Sequence, residues 1–161
     1  MSFKIFVIDE DPMMREKIRN FLSGKYADGE VSIFSTGEEC LLELFRNPDV
    51  VVLDYHLDIG DSEAMNGIDI LKRIKELAPQ VPVLFLSNLD RPEIAENTIK
   101  YGAYDYIVKN ENALHRLEIM INNSTGHVSV QKQLRRQTTF NIILLILLIV
   151  VLLSLLLSKF V

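Results

Sequence analysis

Charged and hydroxyl side chains follow several short apolar runs in this sequence, each at the point where the run ends. Asp9 and Glu10 follow the first run, Asp54 the third, Ser87 the fourth and Lys109 the fifth. In a parallel sheet covered by helices, the carboxyl ends of the strands share one edge, where ligands collect. We therefore predict that these five side chains converge in space.

The chemistry predicted for this group is phosphoryl transfer to a carboxylate. Two carboxylates about 4 Å apart repel by roughly 4 kcal/mol at an effective dielectric of about 20. A divalent cation offsets that repulsion, and hard oxygen ligands that leave room for water suit Mg²⁺. Asp54 is then a candidate nucleophile, with Lys109 and the Ser87 hydroxyl holding the phosphoryl oxygens. Taken singly, the same residue types also serve as helix caps, loop hydroxyls and solvated surface charges.

Apolar runs alternate with segments of helical periodicity up to about Asn122, which predicts strand–helix units around a parallel sheet. The five predicted strands lie near Lys4–Ile8, Val31–Phe34, Val50–Leu53, Val83–Leu86 and Tyr106–Val108. The five predicted helices cover Pro12–Ser23, the segment that opens after Ser35 or Thr36 and runs to about Arg46, Gly67–Leu77, Pro92–Tyr101 and Glu111–Asn122. Asp11 and Pro12 mark the start of the first helix, and Gly24 its end. The predicted fold class is α/β, a flavodoxin-like doubly wound five-stranded parallel sheet in the order 2-1-3-4-5.

Composition limits the classes of function that fit this chain. Its net charge is -5, and all 22 Asp and Glu residues lie at or before Glu118, so no basic patch for nucleic acid is predicted on the folded body. Cys40 lies in an apolar helical pattern and is predicted to be a buried thiol. The three histidines, His56, His115 and His127, show no metal-binding spacing and are predicted to be solvated or packed.

A long apolar segment follows the predicted α/β domain. Residues 1–122 form that domain, 123–139 a polar and basic juxtamembrane linker, and 140–158 a single transmembrane helix. The 18 residues 140–157 would rise about 27 Å as a helix, close to the hydrocarbon thickness of a bilayer. Arg135 and Arg136 before the span favour a cytoplasmic body. We expect a single-pass, tail-anchored membrane protein, and a buried helix or an oligomer core is the alternative.

Five segments spread over residues 1–122 carry a family resemblance. They read IFVIDEDPMMRE, VVVLDYHL, MNGIDILKRIK, VPVLFLSN and GAYDYIVKN. On these motifs the chain resembles the response-regulator receiver domains of two-component signalling, of the chemotaxis-regulator type. The resemblance implies that Asp54 is the phosphoacceptor and that Lys109 pairs with its carboxylate or its phosphate. It also implies that Glu10, Asp54 and the backbone carbonyl of His56 coordinate Mg²⁺, with Asp9 acting through water.

The same resemblance implies a switch and a set of partners. Ser87 and Tyr106 would form the switch, the hydroxyl moving toward the phosphoryl group and the ring turning inward. The donor would be a sensor histidine kinase or a histidine phosphotransfer protein, and the output a changed contact with an unknown protein target, possibly membrane-bound, or with a second copy of the chain. Such a domain is a signalling module and no enzyme beyond its own phosphorylation and dephosphorylation.

The chain departs from the family pattern in three places. The segment from Asp54 to Gly67 is longer than usual, acidic and without proline. Asn110 follows Lys109 where the family has a proline with a cis peptide, and a non-proline cis bond costs about 2.5 to 4 kcal/mol, so a trans peptide is expected. Asn88 stands where a small residue usually leaves the acceptor open.

Two other functions fit parts of the sequence. A haloacid-dehalogenase-like phosphatase would use IFVIDED and VLFLSN, with Asp11 as its general acid, but it leaves Asp54 without a role. A receiver fold that no longer takes phosphate and acts as a membrane-tethered adaptor is the second alternative, favoured by Asn88 and Asn110. Tyr106 also suits ordinary packing near an edge strand.

Overall fold

The computed structural model describes residues 3–57 and 65–126. Within these ranges five strands form one parallel sheet in the order β2-β1-β3-β4-β5, as predicted. The strands are β1 (Lys4–Ile8), β2 (Glu30–Phe34), β3 (Val50–Asp54), β4 (Val83–Ser87) and β5 (Asp105–Val108). Every residue of β3 and β4 is buried, because parallel strands in the middle of such a sheet have helices on both faces.

Helices connect the strands and cover both faces of the sheet. They are α1 (Pro12–Lys25), α2 (Gly37–Glu43), α3 (Gly67–Leu77), α4 (Pro92–Lys100) and α5, which is helical from 113 to at least 126. Side chains that alternate along each strand feed two separate apolar layers, since successive residues of a strand point to opposite faces. On one face Phe6, Leu53 and Phe85 pack against α2 and α3. On the other face Ile5 and Val52 pack with residues of α1 and α5.

Several helix ends differ from the predictions by a few residues, and those of α1 and α2 have a visible cause. Helix α1 continues through Gly24 to Lys25, and its last bond runs from the Tyr26 N–H to the Leu22 carbonyl. Gly24 therefore does not end the helix; the Tyr26 ring instead packs against Phe3 at the point where the chain leaves it. Helix α2 is shorter than predicted, because a single 3-10 turn (Leu44–Arg46) replaces its last part and ends at Asn47 in the left-handed conformation.

The start of α1 and the environment of the cysteine match the predictions. The Asp11 side chain accepts a hydrogen bond from the Met13 N–H at 2.9 Å, and Pro12 occupies the first turn. Cys40 is buried, and burial raises the pKa of its thiol to about 12.

The chain divides into a compact unit at Met1–Thr125 and a second unit at Gly126–Val161. Across residues 3–57 and 65–126, no helix combines the length and the apolar character that crossing a bilayer requires. The linker and the transmembrane helix predicted for 123–139 and 140–158 lie outside the described residues, apart from 123–126, which continue α5.

Candidate functional site

An ammonium group lies between two buried carboxylates at the carboxyl edge of the sheet. Asp54 is the last residue of β3, Asp9 follows β1 and Lys109 follows β5. The Lys109 Nζ donates to Oδ2 of Asp9 and to Oδ2 of Asp54, at 2.8 Å in both cases. Asp9 is 1% exposed and Asp54 4%. The structure thus brings together three of the residues that the strand ends predict.

The charges of this triad do not balance, because two carboxylates share one ammonium. Burial raises the pKa of Asp54; the hydrogen bond from Lys109 lowers it and the charge of Asp9 raises it again. Burial lowers the pKa of Lys109, but its hydrogen bonds to Asp54 and Asp9 outweigh burial, and the net shift is upward. Negative charge therefore remains in excess at this edge.

Carboxylate oxygens that accept no hydrogen bond are candidate ligands for a cation. Oδ1 of Asp54 is buried and accepts no hydrogen bond, and the Glu10 carboxylate makes no hydrogen bond or ion pair with the described residues. Both oxygens of Asp9 are taken, since Oδ1 accepts the Asp11 N–H at 2.9 Å and Oδ2 accepts Lys109. A buried carboxylate oxygen without a hydrogen bond, with a second unpartnered carboxylate in the turn after the neighbouring strand, suits a hard cation.

The described residues hold no cluster of three or more His, Cys, Asp or Glu side chains spaced for a metal ion. A cation at Glu10 and Asp54 would accordingly keep several waters, which is how Mg²⁺ is usually bound. His56 is half-buried, with its ring edge-on to Tyr55 at 5.2 Å between centroids. His115 is exposed, 3.9 Å from Glu118, and His127 lies outside the described residues.

The two predicted switch residues meet the same backbone segment. The Ser87 side chain is fully buried, and its Oγ accepts the Leu89 N–H at 3.1 Å. The Tyr106 hydroxyl donates to the Leu89 carbonyl at 2.7 Å, and its ring is 6% exposed. Burial raises the pKa of Tyr106, so its hydroxyl stays protonated and able to donate. Leu89 therefore links both hydroxyl groups through one residue's backbone.

The three departures from the family pattern have different structural outcomes. The Lys109–Asn110 peptide is trans, as expected, and the Asn110 side chain accepts the Asn112 N–H at 2.9 Å in a turn that leads into α5. Lys109 still reaches both carboxylates. Asn88 is exposed, and it lines a cavity of about 250 Å³ that also borders Lys109. Most of the long segment after the acceptor, 58–64, lies outside the described residues.

Two contributors to this edge were not predicted. Arg15, one turn into α1, donates to the carbonyls of Asp9 and Glu10. An arginine placed so soon after an acidic pair at a helix start is a signal that sequence reading can use, because its long side chain reaches back over the preceding turn. Leu89 acts through its backbone alone and leaves no signal in its side chain.

The fold and the site define a receiver module, and comparison with known proteins agrees. The response regulator receiver domain model matches residues 5–122, and the chain belongs to this family. Receiver domains are non-enzymatic signalling modules; they generally bind Mg²⁺ at the phosphorylation site and interact with sensor histidine kinases or phosphotransfer proteins. Membership favours the receiver interpretation over the phosphatase alternative, and the Asp11 carboxylate serves as a helix cap.

Curated relatives share the receiver region and extend beyond it. A protein-glutamate methylesterase/protein-glutamine glutaminase of Geobacillus kaustophilus is 36% identical over 112 residues, 67% of this chain and 30% of that protein. Regulatory protein LuxO of Vibrio cholerae is 30% identical over 106 residues, 65% of this chain and 22% of that protein. This chain therefore spans less than a third of the length of these two relatives.

Solved receiver domains superpose on the described fold. A response regulator receiver domain protein from Clostridium thermocellum has a TM-score of 0.70 and 28% identity, and the match covers 80% of this chain and 98% of that one. The BeF3-activated DrrB receiver domain has a TM-score of 0.63 and 32% identity, with 76% and 99% coverage. Both matches include nearly the whole of the solved domain.

Proposed function

We propose that Asp54 accepts a phosphoryl group from a phosphohistidine on a sensor histidine kinase or a histidine phosphotransfer protein. The observation that carries the proposal is the state of this one carboxylate. Its Oδ2 accepts the Lys109 ammonium at 2.8 Å, while its Oδ1 is buried and accepts no hydrogen bond. Lys109 holds this buried carboxylate through one oxygen, and the other oxygen accepts no hydrogen bond. The carboxylate is therefore fixed in orientation and still able to attack phosphorus.

The chain's own residues account for most of the reaction. A bond forms between an Asp54 oxygen and phosphorus, the phosphorus–nitrogen bond of the phosphohistidine breaks, and the imidazole leaves with the donor protein. Lys109 offsets the charge gathered on the phosphoryl oxygens. The Ser87 hydroxyl, whose oxygen accepts the Leu89 N–H, would donate its proton to a phosphoryl oxygen. Glu10, Asp54 and the His56 carbonyl would hold Mg²⁺, which neutralises charge on the transferring group.

Phosphorylation would signal by changing protein contacts. If the Ser87 hydroxyl moves toward a phosphoryl group, its bond to the Leu89 N–H is strained or lost, and the Tyr106 hydroxyl bonds the same residue. The surface formed by α4, β5 and α5 then changes shape and affinity. We propose that the partner is a protein target at the membrane or a second copy of the chain.

A phosphorylation assay on the full chain tests the acceptor. With Mg²⁺ and acetyl phosphate, intact-mass measurement should show one added phosphoryl group that is stable in acid and lost in base. Asp54→Asn should abolish it. Asp28→Asn is the matched control, because Asp28 is exposed and makes no hydrogen bond or ion pair with the described residues. A label that persists in Asp54→Asn, or its absence from the folded wild-type chain, contradicts the proposal.

One observation favours a second function, a receiver fold that acts as an adaptor without phosphate. The Tyr106 ring is buried, with its hydroxyl bound to the Leu89 carbonyl, so the ring holds an inward position that needs no rearrangement. The contact face would then be preset. This adaptor is distinguished by partner binding that is equally tight for the wild type and for Asp54→Asn.

We further propose that residues 140–158 anchor the chain in a membrane, with the receiver unit on the cytoplasmic side. Support comes from the apolar run and from Arg135 and Arg136 before it. Tethering would confine the receiver unit to partners near the bilayer.

A further inference from the structure

Arg15 uses its side chain in an unusual way for a charged residue at the start of a helix. One nitrogen, Nη1, donates to the Asp9 carbonyl at 2.6 Å and to the Glu10 carbonyl at 2.9 Å. The side chain is half-buried and makes no ion pair with the carboxylates of the described residues. Hydrogen bonds from a charged donor are the stronger kind. Arg15 therefore fixes two consecutive carbonyls of the turn after β1.

That turn holds two of the acidic residues at the site. Asp9 is held at every polar group: its N–H donates to the Phe34 carbonyl at 3.3 Å, its Oδ1 accepts Asp11 and its Oδ2 accepts Lys109. Glu10 differs, because its carboxylate has no partner among the described residues. Among the described residues, Glu10 is held by the hydrogen bond from Arg15 to its carbonyl.

Arg15 also acts on the neighbouring loop. The hydrogen bond from the Ser35 hydroxyl is the main reason why the pKa of Glu39 is low, and the positive charge of Arg15 lowers it further. Its guanidinium is thus close enough to the loop that leads into α2 to act on Glu39 through its charge.

We propose that Arg15 is a positioning residue for divalent cations, which holds the Asp9–Glu10 turn so that the Glu10 carboxylate and Oδ1 of Asp54 are presented together. The inference rests on the Mg²⁺-dependent phosphoryl acceptance proposed above. It assigns Arg15 no contact with the cation or the phosphoryl group.

The sign of the effect separates positioning from charge. A guanidinium near a cation site repels the cation, so a residue that acted through its charge would, when neutralised, tighten Mg²⁺ binding. A residue that orients the ligands would, when removed, weaken binding. The two roles predict opposite changes in the same measurement.

The test is Mg²⁺ titration of the full chain by isothermal calorimetry, with the protein kept soluble in nonionic detergent. Arg15→Met, which keeps the length and removes every donor, should raise the Kd for Mg²⁺ about tenfold, as expected when a group that orients metal ligands is lost. Arg15→Lys, which retains a donor, should recover much of the affinity. Arg19→Met is the matched control, one turn further along α1, where Arg19 is exposed and pairs with Glu16 at 2.8 Å; its Kd should match the wild type.

A second readout covers folding and mechanism. Thermal unfolding establishes that each variant is folded, and Arg15→Gln, which is too short to reach both carbonyls, replaces Arg15→Met if that variant is not folded. Raising Mg²⁺ should restore the phosphorylation rate of Arg15→Met, because the defect is in cation affinity and not in the acceptor. Unchanged or tighter Mg²⁺ binding in a folded Arg15→Met, or a wild-type chain that binds no Mg²⁺, overturns the inference. If the wild type binds Mg²⁺ normally but accepts no phosphoryl group, the proposed function is wrong while the inference about Arg15 and Mg²⁺ stands.

Discussion

Lys109 is the residue on which the acceptor region depends, because it joins two carboxylates that burial would otherwise force apart or protonate. Its side chain is 7% exposed, and the Asp9 and Asp54 side chains are 1% and 5% exposed. Charges removed from water to this degree interact strongly, and each requires a partner to remain charged. The ammonium of Lys109, which offsets part of the cost of burying the acceptor's charge, therefore also supports the fold.

Replacing this lysine tests that double role. Lys109→Met should lower the free energy of unfolding by about 3 kcal/mol, since removing one partner of a buried charge cluster leaves uncompensated charge. Adding Asp54→Asn should recover part of the loss, because the second variant removes one of the stranded carboxylates. Urea unfolding of the single and double variants at neutral pH measures both effects.

Lys17→Met is the control for this series. Lys17 is exposed and lines the same cavity as Lys109, and the change should cost little. If the lost stability came from the aliphatic packing of Lys109, Asp54→Asn would bring no recovery, and the charge argument would be wrong.

The raised pKa of Asp54 predicts how stability depends on pH. Because burial lifts the pKa of this carboxyl above its ordinary value of 3.8, the folded state binds the proton more tightly than the unfolded chain. Stability from this group is greatest below the ordinary pKa and falls as pH rises through the window up to the raised value. Asp54→Asn cannot ionise, so it should be more stable than the wild type at neutral pH, by a margin that shrinks as the pH falls through that window toward about 4.

The measurement is chemical unfolding of the wild type and Asp54→Asn from acid to neutral pH. Asp28→Asn, at an exposed aspartate, should show no such trend. If the stability advantage of Asp54→Asn over the wild type stays constant with pH, or grows as the pH falls, the pKa of Asp54 is not raised.

At the scale of elements, the strands and their order were predictable and the helix ends less so. β1 begins and ends where its apolar run does, and Asp54 and Ser87 close β3 and β4 as the pattern indicates. The ends of these strands are easy to predict, because a strand buried on both faces is apolar up to the residue that ends it. Gly24 misled the reading of α1, since a glycine signals a helix end only if it takes a positive φ, and Gly102 does so while Gly24 does not.

The site was predictable to the extent that it uses side chains at strand ends. Asp9, Asp54 and Lys109 meet because parallel strands end at one edge, which sequence order alone implies. The Arg15 and Leu89 contacts depend on how two turns fold, and the Leu89 contacts use its backbone N–H and carbonyl. Backbone groups are the same in every residue, so the sequence carries no mark of them.

Two glycines give a matched test of how closely α3 must approach the acceptor strand. A Cβ at Gly67 would lie 2.7 Å from the Asp54 carbonyl oxygen and 2.8 Å from that of Tyr55, whereas nothing lies within 4 Å of one at Gly24. Gly67→Ala should lower the free energy of unfolding by about 1 to 3 kcal/mol, because backbone atoms must move. Gly24→Ala should raise it by about 0.5 to 1 kcal/mol, since Gly24 lies within a helix.

Urea unfolding of both variants measures the pair, and phosphorylation by acetyl phosphate adds a second readout. Gly67→Ala should also slow phosphorylation, because the clash falls on the residue that carries the acceptor. Equal stability changes of the same sign in the two variants would show that α3 tolerates the added methyl group.

At the scale of the whole molecule, charge and hydropathy divide the chain. Every acidic residue lies at or before Glu118, and the residues beyond 139 are mostly apolar. The described residues contain the sheet, both core layers and the charge triad. The charge triad and the two apolar layers that support it thus lie within the described residues. The role of the apolar segment can therefore be tested separately.

Membrane anchoring predicts a specific response to charge in that segment. The full chain should stay with the membrane fraction after alkaline carbonate extraction. Leu147→Arg combined with Val151→Arg should release it, because an arginine near the centre of a membrane span costs roughly 2.5 to 3.5 kcal/mol on the insertion scale. Leu42→Arg makes the same type of change at an exposed position of α2 and should leave extraction unaltered. A wild-type chain that the carbonate wash removes, or a doubly substituted chain that stays bound, would show that residues 140–158 are held by something other than lipid.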